Sequence, residues 1–428
     1  MRLLLTNCQI LKPDWTVIEG YLGIDGDTIC YIGEDNPQEE YDRYKNLHGA
    51  IVMPGLINCH THSPMVLMRG VGSNLPLQQW LFDTVFPIED KLTAQDVAAG
   101  SRLALLEMIA SGTTSFSDMY FFPWETIAAV GASGLKANVC RCIQSFSPAE
   151  VPADNRQIPE SLDLFRNFHM AHEGRIRVDF SIHAEYTCQS QIVEAYSAIC
   201  KEHGGRMHLH LAETAKEQQE CIDKYGMTPA AWFEKLGTFD SPAAAAHCVA
   251  LTEEDMQILK RHNVSVIHNP SSNMKLGSGF APIRRMLDLG LNVTLGTDGA
   301  ASNNNLNMFE EMHLAALLHN GYHQDPTHIT VQDVLSMATC NGAKLQGRSD
   351  TGVLEVGKKA DLIAISVDAP HMCPNLDPAA LLVYSAQGSD VCLNMVDGRI
   401  LYENGEFKTL DQEKIIHEAK ASMSRLLG

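Results

Sequence analysis

From residue 50 onward the chain alternates short apolar runs with amphipathic stretches, and this alternation constrains the fold more than any other feature. Runs that read as buried strands lie at 51–60, 113–118, 137–143, 176–184, 206–212, 243–249, 264–269 and 292–298. Helical patterns occupy 95–109, 160–172, 190–202, 215–236, 252–262 and 282–289. Strands joined through helices pair in parallel, and eight such units fit a (β/α)8 barrel of the TIM type. Reactive groups in such a barrel sit at the C-terminal ends of the strands.

Both chain ends break the alternation. Strand candidates at 3–11, 21–24 and 28–32, with an Asp25-Gly26 turn, resemble those at 360–365, 392–396 and 399–402, with Asp397-Gly398. The economical arrangement packs the two ends together as a small β-sandwich domain. We therefore expect residues 1–54 and 347–428 in that domain and 55–346 in the barrel. A closing helix is expected at 412–427, with Thr409 and Gln412 spaced as a capping box.

The strand ends carry a consistent chemistry. The first run stops at His60-Thr-His62, and a two-residue spacing puts both imidazoles on one face of a strand. His210 and Glu213 close the fifth run, His247 the sixth and Asp298 the eighth. His60, His62, His210 and Asp298 offer three imidazoles and a carboxylate, a set suited to one divalent metal per chain, zinc or ferrous iron, with a position open to water. His208 shares strand parity with His210; the residue nearer the strand end is preferred as the ligand, which leaves His208 as a buried, hydrogen-bonded neighbour. Glu213 is placed to carry a proton between water and a leaving group, although a carboxylate opening a helix also suits the helix dipole. His247, in an all-alanine strand, is aimed at the same point.

Composition narrows the partners. A formal net charge of −20 opposes binding to nucleic acid or to an anionic membrane, so a small molecule is the expected partner. The first residues turn polar too early for a signal peptide, and no apolar run reaches the length of a membrane span. Twelve cysteines without a Cys-x-x-Cys pair read as reduced thiols in a cytoplasmic protein. Homo-oligomer formation stays open.

The motifs Pro54-Gly-Leu-Ile-Asn-Cys-His-Thr-His62, Trp80-Leu with Phe86-Pro-Ile-Glu89, His210-Leu-Ala-Glu-Thr214, His268-Asn-Pro-Ser-Ser-Asn-Met-Lys-Leu-Gly277 and Gly296-Thr-Asp-Gly-Ala-Ala-Ser-Asn-Asn304 resemble the amidohydrolase superfamily. Within it they are most similar to the deaminases of 5'-methylthioadenosine and S-adenosylhomocysteine. The resemblance covers nearly the whole chain. It implies a metal-dependent hydrolytic deaminase of adenosine derivatives, with Glu213, His247 and Asp298 catalytic. It also implies that Glu89 takes the ribose diol, that His183 contacts the nucleoside, and that Arg141 and Arg156 hold an amino-acid carboxylate near Trp80. Strand parity sets Arg141 opposite Cys140 and Cys142, so the arginine is expected to face the mouth and the cysteines the helices.

Some relatives bridge two metals with a carboxylated lysine, but no lysine lies between Lys136 and Lys201. One metal is expected, with Glu185 the remaining candidate bridge to a second. The alternatives are an aminohydrolase or chlorohydrolase of a free base, pterin or triazine, and a non-catalytic barrel that should have lost ligands this chain retains.

Overall fold

The computed structural model describes all of residues 1–428. Eight parallel strands follow one another in sequence order around the barrel: β1 (Leu56–Thr61), β2 (Thr113–Tyr120), β3 (Lys136–Ile143), β4 (Ile176–Ile182), β5 (Met207–Leu211), β6 (Ala243–His247), β7 (Ser265–His268) and β8 (Val293–Leu295). Nearly every strand residue is buried, as parallel strands covered on both faces require. Beyond the end of β8 the chain closes onto β1. Asp298 N donates to His60 O at 2.9 Å, and the Asn58 side chain exchanges hydrogen bonds of 2.7 and 3.0 Å with Thr297. Closure therefore occurs at the level of the candidate ligands.

The apolar run at 51–60 is one pattern but two strands. Ile51–Pro54 pairs antiparallel with Leu362–Ile365 in a separate sheet, and only Leu56–Thr61 enters the barrel. Gly55 marks the change, because a Cβ there would lie 2.1 Å from Thr114 Cγ2. Burial on both sides of this glycine hides the boundary from any periodicity argument.

The separate sheet has nine strands of mixed direction. Its N-terminal members are Arg2–Leu11, Val17–Asp25, Thr28–Gly33, Arg43–Asn46 and Ile51–Pro54; Leu362–Ile365, Val391–Val396, Arg399–Glu403 and Glu406–Phe407 come from the other end. Both chain ends thus share one sheet, with the expected hairpins after Asp25 and Val396. Lys136, at the start of β3, ties the sheet to the barrel bottom through buried ion pairs of 2.6 Å to Asp361 and Asp397.

Several helices differ from expectation. The stretch 215–236 breaks into Ala215–Tyr225 and Pro229–Lys235, because Gly226 stands at φ +71° and Thr228 caps a new N-terminus. Met308–His323 was not anticipated: apolar and polar residues are mixed around its circumference, so no 3.6-residue period stands out. The closing helix is Gln412–Leu427, but Thr409 and Gln412 do not form its cap. Asp411 accepts from Lys414 N at 3.0 Å, while the Thr409 hydroxyl donates to Ser133 O. No helix is long and apolar enough to cross a membrane.

Candidate metal centre and active site

At the barrel mouth His60, His62, His210 and Asp298 turn their ligand atoms toward one another. His62 Nε2 lies 3.2 Å from His210 Nε2 and 3.3 Å from Asp298 Oδ1, and His60 Nε2 lies 3.4 Å from the same oxygen. His60 Nε2 is fully buried and has no hydrogen-bond partner. A buried ring nitrogen without a partner, facing two others around a carboxylate, is unfavourable unless a cation takes up its lone pair. The donor set therefore fits a divalent metal.

Each ligand is fixed from behind. His60 Nδ1 meets His208 Nε2 at 3.0 Å, His62 Nδ1 meets Met119 O at 2.6 Å, and His210 Nδ1 meets His183 O at 2.8 Å. With Nδ1 engaged, Nε2 is left to face the centre. His208 thus occupies the supporting position expected for it. Burial lowers His60 to about 4 and puts His208 and His210 well below the usual imidazole range, so all three are neutral without a metal. Asp298 Oδ2 accepts from Ser272 and Ser302, both at 2.7 Å, and Oδ1 accepts from Gly299 N. The motifs containing these serines were singled out in the sequence, but nothing there showed that they brace the carboxylate.

Glu213 and His247 stand beside the centre. Glu213 is 5 % exposed, and its Oε2 lies 3.8 Å from His247 Nε2. Burial pushes the Glu213 carboxyl up to about 7, against the opposing pull of His247. At His247 burial works to lower the imidazole, and the Glu213 and Asp298 carboxylates overcome it, so its pKa is raised. His247 also lies within ligand range of His60 and Asp298, and Asn273 Oδ1 holds its Nδ1 at 2.9 Å. Ala212, His247, Cys248 and Asp298 all have φ between +48° and +71°. Such a backbone is unfavourable for residues with a Cβ and is characteristic of functional strand ends.

About 610 Å³ of space, its open mouth included, lies above these groups. Trp80, Glu89, His183, Glu213, His247 and Asp298 line it, together with Phe86 and Leu276 from the quoted motifs and with Tyr120 and Tyr186, which the sequence did not single out. The Trp80 indole N–H is buried and has no partner. Burial pushes the Glu89 carboxyl up to about 7, with the Tyr120 hydroxyl holding it down, and pushes His183 down to about 3.

The parity expectation at β3 is reversed. Cys142 lines the central cavity and Cys140 packs with Met119 inside the barrel. Arg141 instead points toward the helix Gln157–Phe168, where its Nε donates to Glu160 at 2.8 Å and its guanidinium lies over Phe121. It lines an adjoining chamber that shares Phe86, Glu89, Phe121 and Gln144 with the central one. Small thiols, not a long cation, fit the crowded interior. Arg156 is exposed at the start of the same helix and lines neither cavity. Glu185 is not among the clustered candidate ligands, and its buried carboxyl lies against that of Glu217. All twelve cysteines are free thiols.

The amidohydrolase family model matches residues 51–401. The chain is 44% identical over 434 residues to a 5-methylthioadenosine/S-adenosylhomocysteine deaminase of Acetivibrio thermocellus, with all of both chains covered. It is 42% identical to a 5'-deoxyadenosine deaminase of Methanosarcina acetivorans, covering 100% of this chain and 98% of the other. Among solved structures it resembles an adenosine deaminase from Xanthomonas campestris with bound zinc. That match has a TM-score of 0.93 and 31% identity, and covers 99% and 98% of the two chains.

Proposed function

We infer what this chain does from what it belongs to: it is a metal-dependent hydrolase of the amidohydrolase family, closely related to the 5'-methylthioadenosine/S-adenosylhomocysteine deaminases. The proposed reaction is hydrolytic deamination of these two adenosine derivatives to their inosine analogues. The observation that carries it is the buried Glu213 carboxyl, pushed up to about 7 and held 3.8 Å from His247 beside the metal ligands, in a cavity that Glu89 also lines.

His60, His62, His210 and Asp298 would hold the metal. When bound, it supplies the Lewis acidity that makes water a nucleophile near neutral pH. Water then adds to the adenine ring carbon bearing the amine, the C–N bond breaks, and ammonia leaves. Glu213 is assigned the proton transfer: it takes a proton from water and delivers it to the adjacent ring nitrogen. His247 orients and polarises the attacking water, and Asp298 passes the second proton to the departing amine. Glu89 accepts from the ribose hydroxyls, His183 contacts the nucleoside, and Trp80 closes one wall. The carboxylate of S-adenosylhomocysteine is assigned to Arg141, through the adjoining chamber, and to Arg156, which would have to turn in from the surface. The free thiols favour a cytoplasmic location.

The test is ammonia release by the zinc-loaded protein against 5'-methylthioadenosine, S-adenosylhomocysteine, 5'-deoxyadenosine, adenosine, guanine and a chlorotriazine. Turnover of the first two, with inosine-type absorbance appearing in step with ammonia, is expected. Activity confined to guanine or the triazine would replace this reading with one of a free-base deaminase or chlorohydrolase.

A further inference from the structure

Behind Glu213 lies a pair of carboxyl groups that the proposed reaction does not use. Glu217, in the first turn of the helix Ala215–Tyr225, is 2 % exposed and folds its side chain back over the end of β5. Oε1 accepts from Ala212 N at 2.9 Å, and Oε2 accepts from Glu213 N at 2.7 Å. Ala212 sits in the left-handed region at φ +48°, so the turn that presents Glu213 is one the backbone would not keep without support. The two hydrogen bonds clamp the amides on either side of Ala212.

Glu185, just past the end of β4, is also 2 % exposed, and its carboxyl lies against that of Glu217. Two buried carboxyl groups in contact cannot both ionise. Both oxygens of Glu217 already accept from backbone N–H groups, so the charge belongs on Glu217 and the proton on Glu185. The free Oε2 of Glu185, buried without an N–H or O–H partner, agrees with a neutral acid. Three carboxyl groups buried side by side are a costly way to fill space.

We propose that Glu217, kept ionised by a neutral Glu185, is the positioning residue that locks the Ala212–Glu213 turn and holds the Glu213 carboxyl within reach of His247. The inference rests on the proton-transfer role assigned to Glu213. Glu217 touches no reacting atom; it acts through the backbone of its neighbour.

The test compares Glu217→Gln, Glu185→Gln, Glu185→Leu and Glu213→Gln as zinc-loaded enzymes with 5'-methylthioadenosine. An amide offers one acceptor to two N–H donors, so Glu217→Gln should lower kcat per bound zinc about ten- to a hundredfold, with KM within about twofold. Glu185→Gln keeps a neutral donor of the same shape and should stay within about twofold of wild type, while Glu185→Leu should lose roughly tenfold. Wild-type kcat per zinc in Glu217→Gln overturns the proposal, as does a loss confined to zinc content or thermal midpoint. If Glu217→Gln does not fold, the two Glu185 variants decide alone, and equal kcat in both overturns it. An active Glu213→Gln removes the proton-transfer reading together with this inference; an inactive one beside a fully active Glu217→Gln removes only the positioning role.

Discussion

The floor and the wall of the cavity are built in different ways. On the floor, the ligands come from the ends of β1 and β5 and from just beyond β8, and each is braced by a second group: His208, a backbone carbonyl or a serine hydroxyl. Along the wall, Leu77, Trp80, Leu81, Val85, Phe86 and Glu89 all come from one irregular segment of two short helical turns joined by a π-helical turn, Leu81–Val85. Its Trp80 N–H is left without a partner. Groups at strand ends are held by the rigid barrel, and groups on the irregular segment can be rebuilt without disturbing it. Changes on the floor should therefore affect every substrate alike, and changes in the wall, or at Arg141 and Arg156 beyond it, should separate substrates only where the changed group meets the part in which they differ.

The largest expected effect is at the floor. His60→Ala or Asp298→Ala should lose bound metal and lower activity to about a ten-thousandth or less for all substrates. Metal analysis of the purified variants checks this, and about one zinc per wild-type chain is expected from a single ligand set. Two tightly held metals in active wild type would break the picture of that floor. Next comes Glu213→Gln, which should keep its metal and lose turnover by roughly two to four powers of ten. Full activity in that variant would move the proton transfer to another group.

The same division explains what could be read from the sequence. The floor was legible because strand ends leave a mark: an apolar run that stops at His60, His62, His210, His247 or Asp298. The braces were less so. Ser272, Asn273 and Ser302 lie far from Asp298 and His247 or in loops beside them, and no periodicity reports a hydrogen bond that forms only when β6, β7 and β8 come together. At β3 the alternation was visible but its sense was not, because a strand buried on both faces gives no polar side to orient it, and Arg141 proved to face the helices. The segment 63–89 has neither a strand nor a long-helix period, so its part in the wall was visible only at Trp80 and Glu89.

A smaller effect tests the wall. S-adenosylhomocysteine carries a carboxylate that 5'-methylthioadenosine lacks. Arg141→Met or Arg156→Met should cost on the order of 1.5 to 3 kcal/mol in kcat/KM for the former and little for the latter. Glu89→Gln should weaken both, since both present the same ribose diol. Equal losses for the two substrates in the arginine variants would mean that Arg141 serves only its pairing with Glu160, and that discrimination lies elsewhere in the wall.

The smallest effect concerns stability, and it separates a floor carboxyl from a wall carboxyl that burial has pushed to the same value. Glu213 and Glu89 both stand at about 7, above the ordinary 4.5. Between those values the folded chain binds more protons than the unfolded one, so each carboxyl makes the fold less stable as pH rises from about 4.5 to 7, and the effect levels off above 7. Glutamine does not titrate. In the metal-free protein, Glu213→Gln should therefore gain stability over wild type by up to about 2 kcal/mol more at pH 8 than at pH 5.5. Glu89 is more exposed to solvent than Glu213, so water offsets part of its upward shift and the same change there should give a smaller pH-dependent gain. Urea unfolding of wild type and both variants at the two pH values measures the difference. Parallel curves for wild type and Glu213→Gln would show that Glu213 titrates in the fold as it does in water, and would remove the neutral-range carboxyl on which its proton transfer depends.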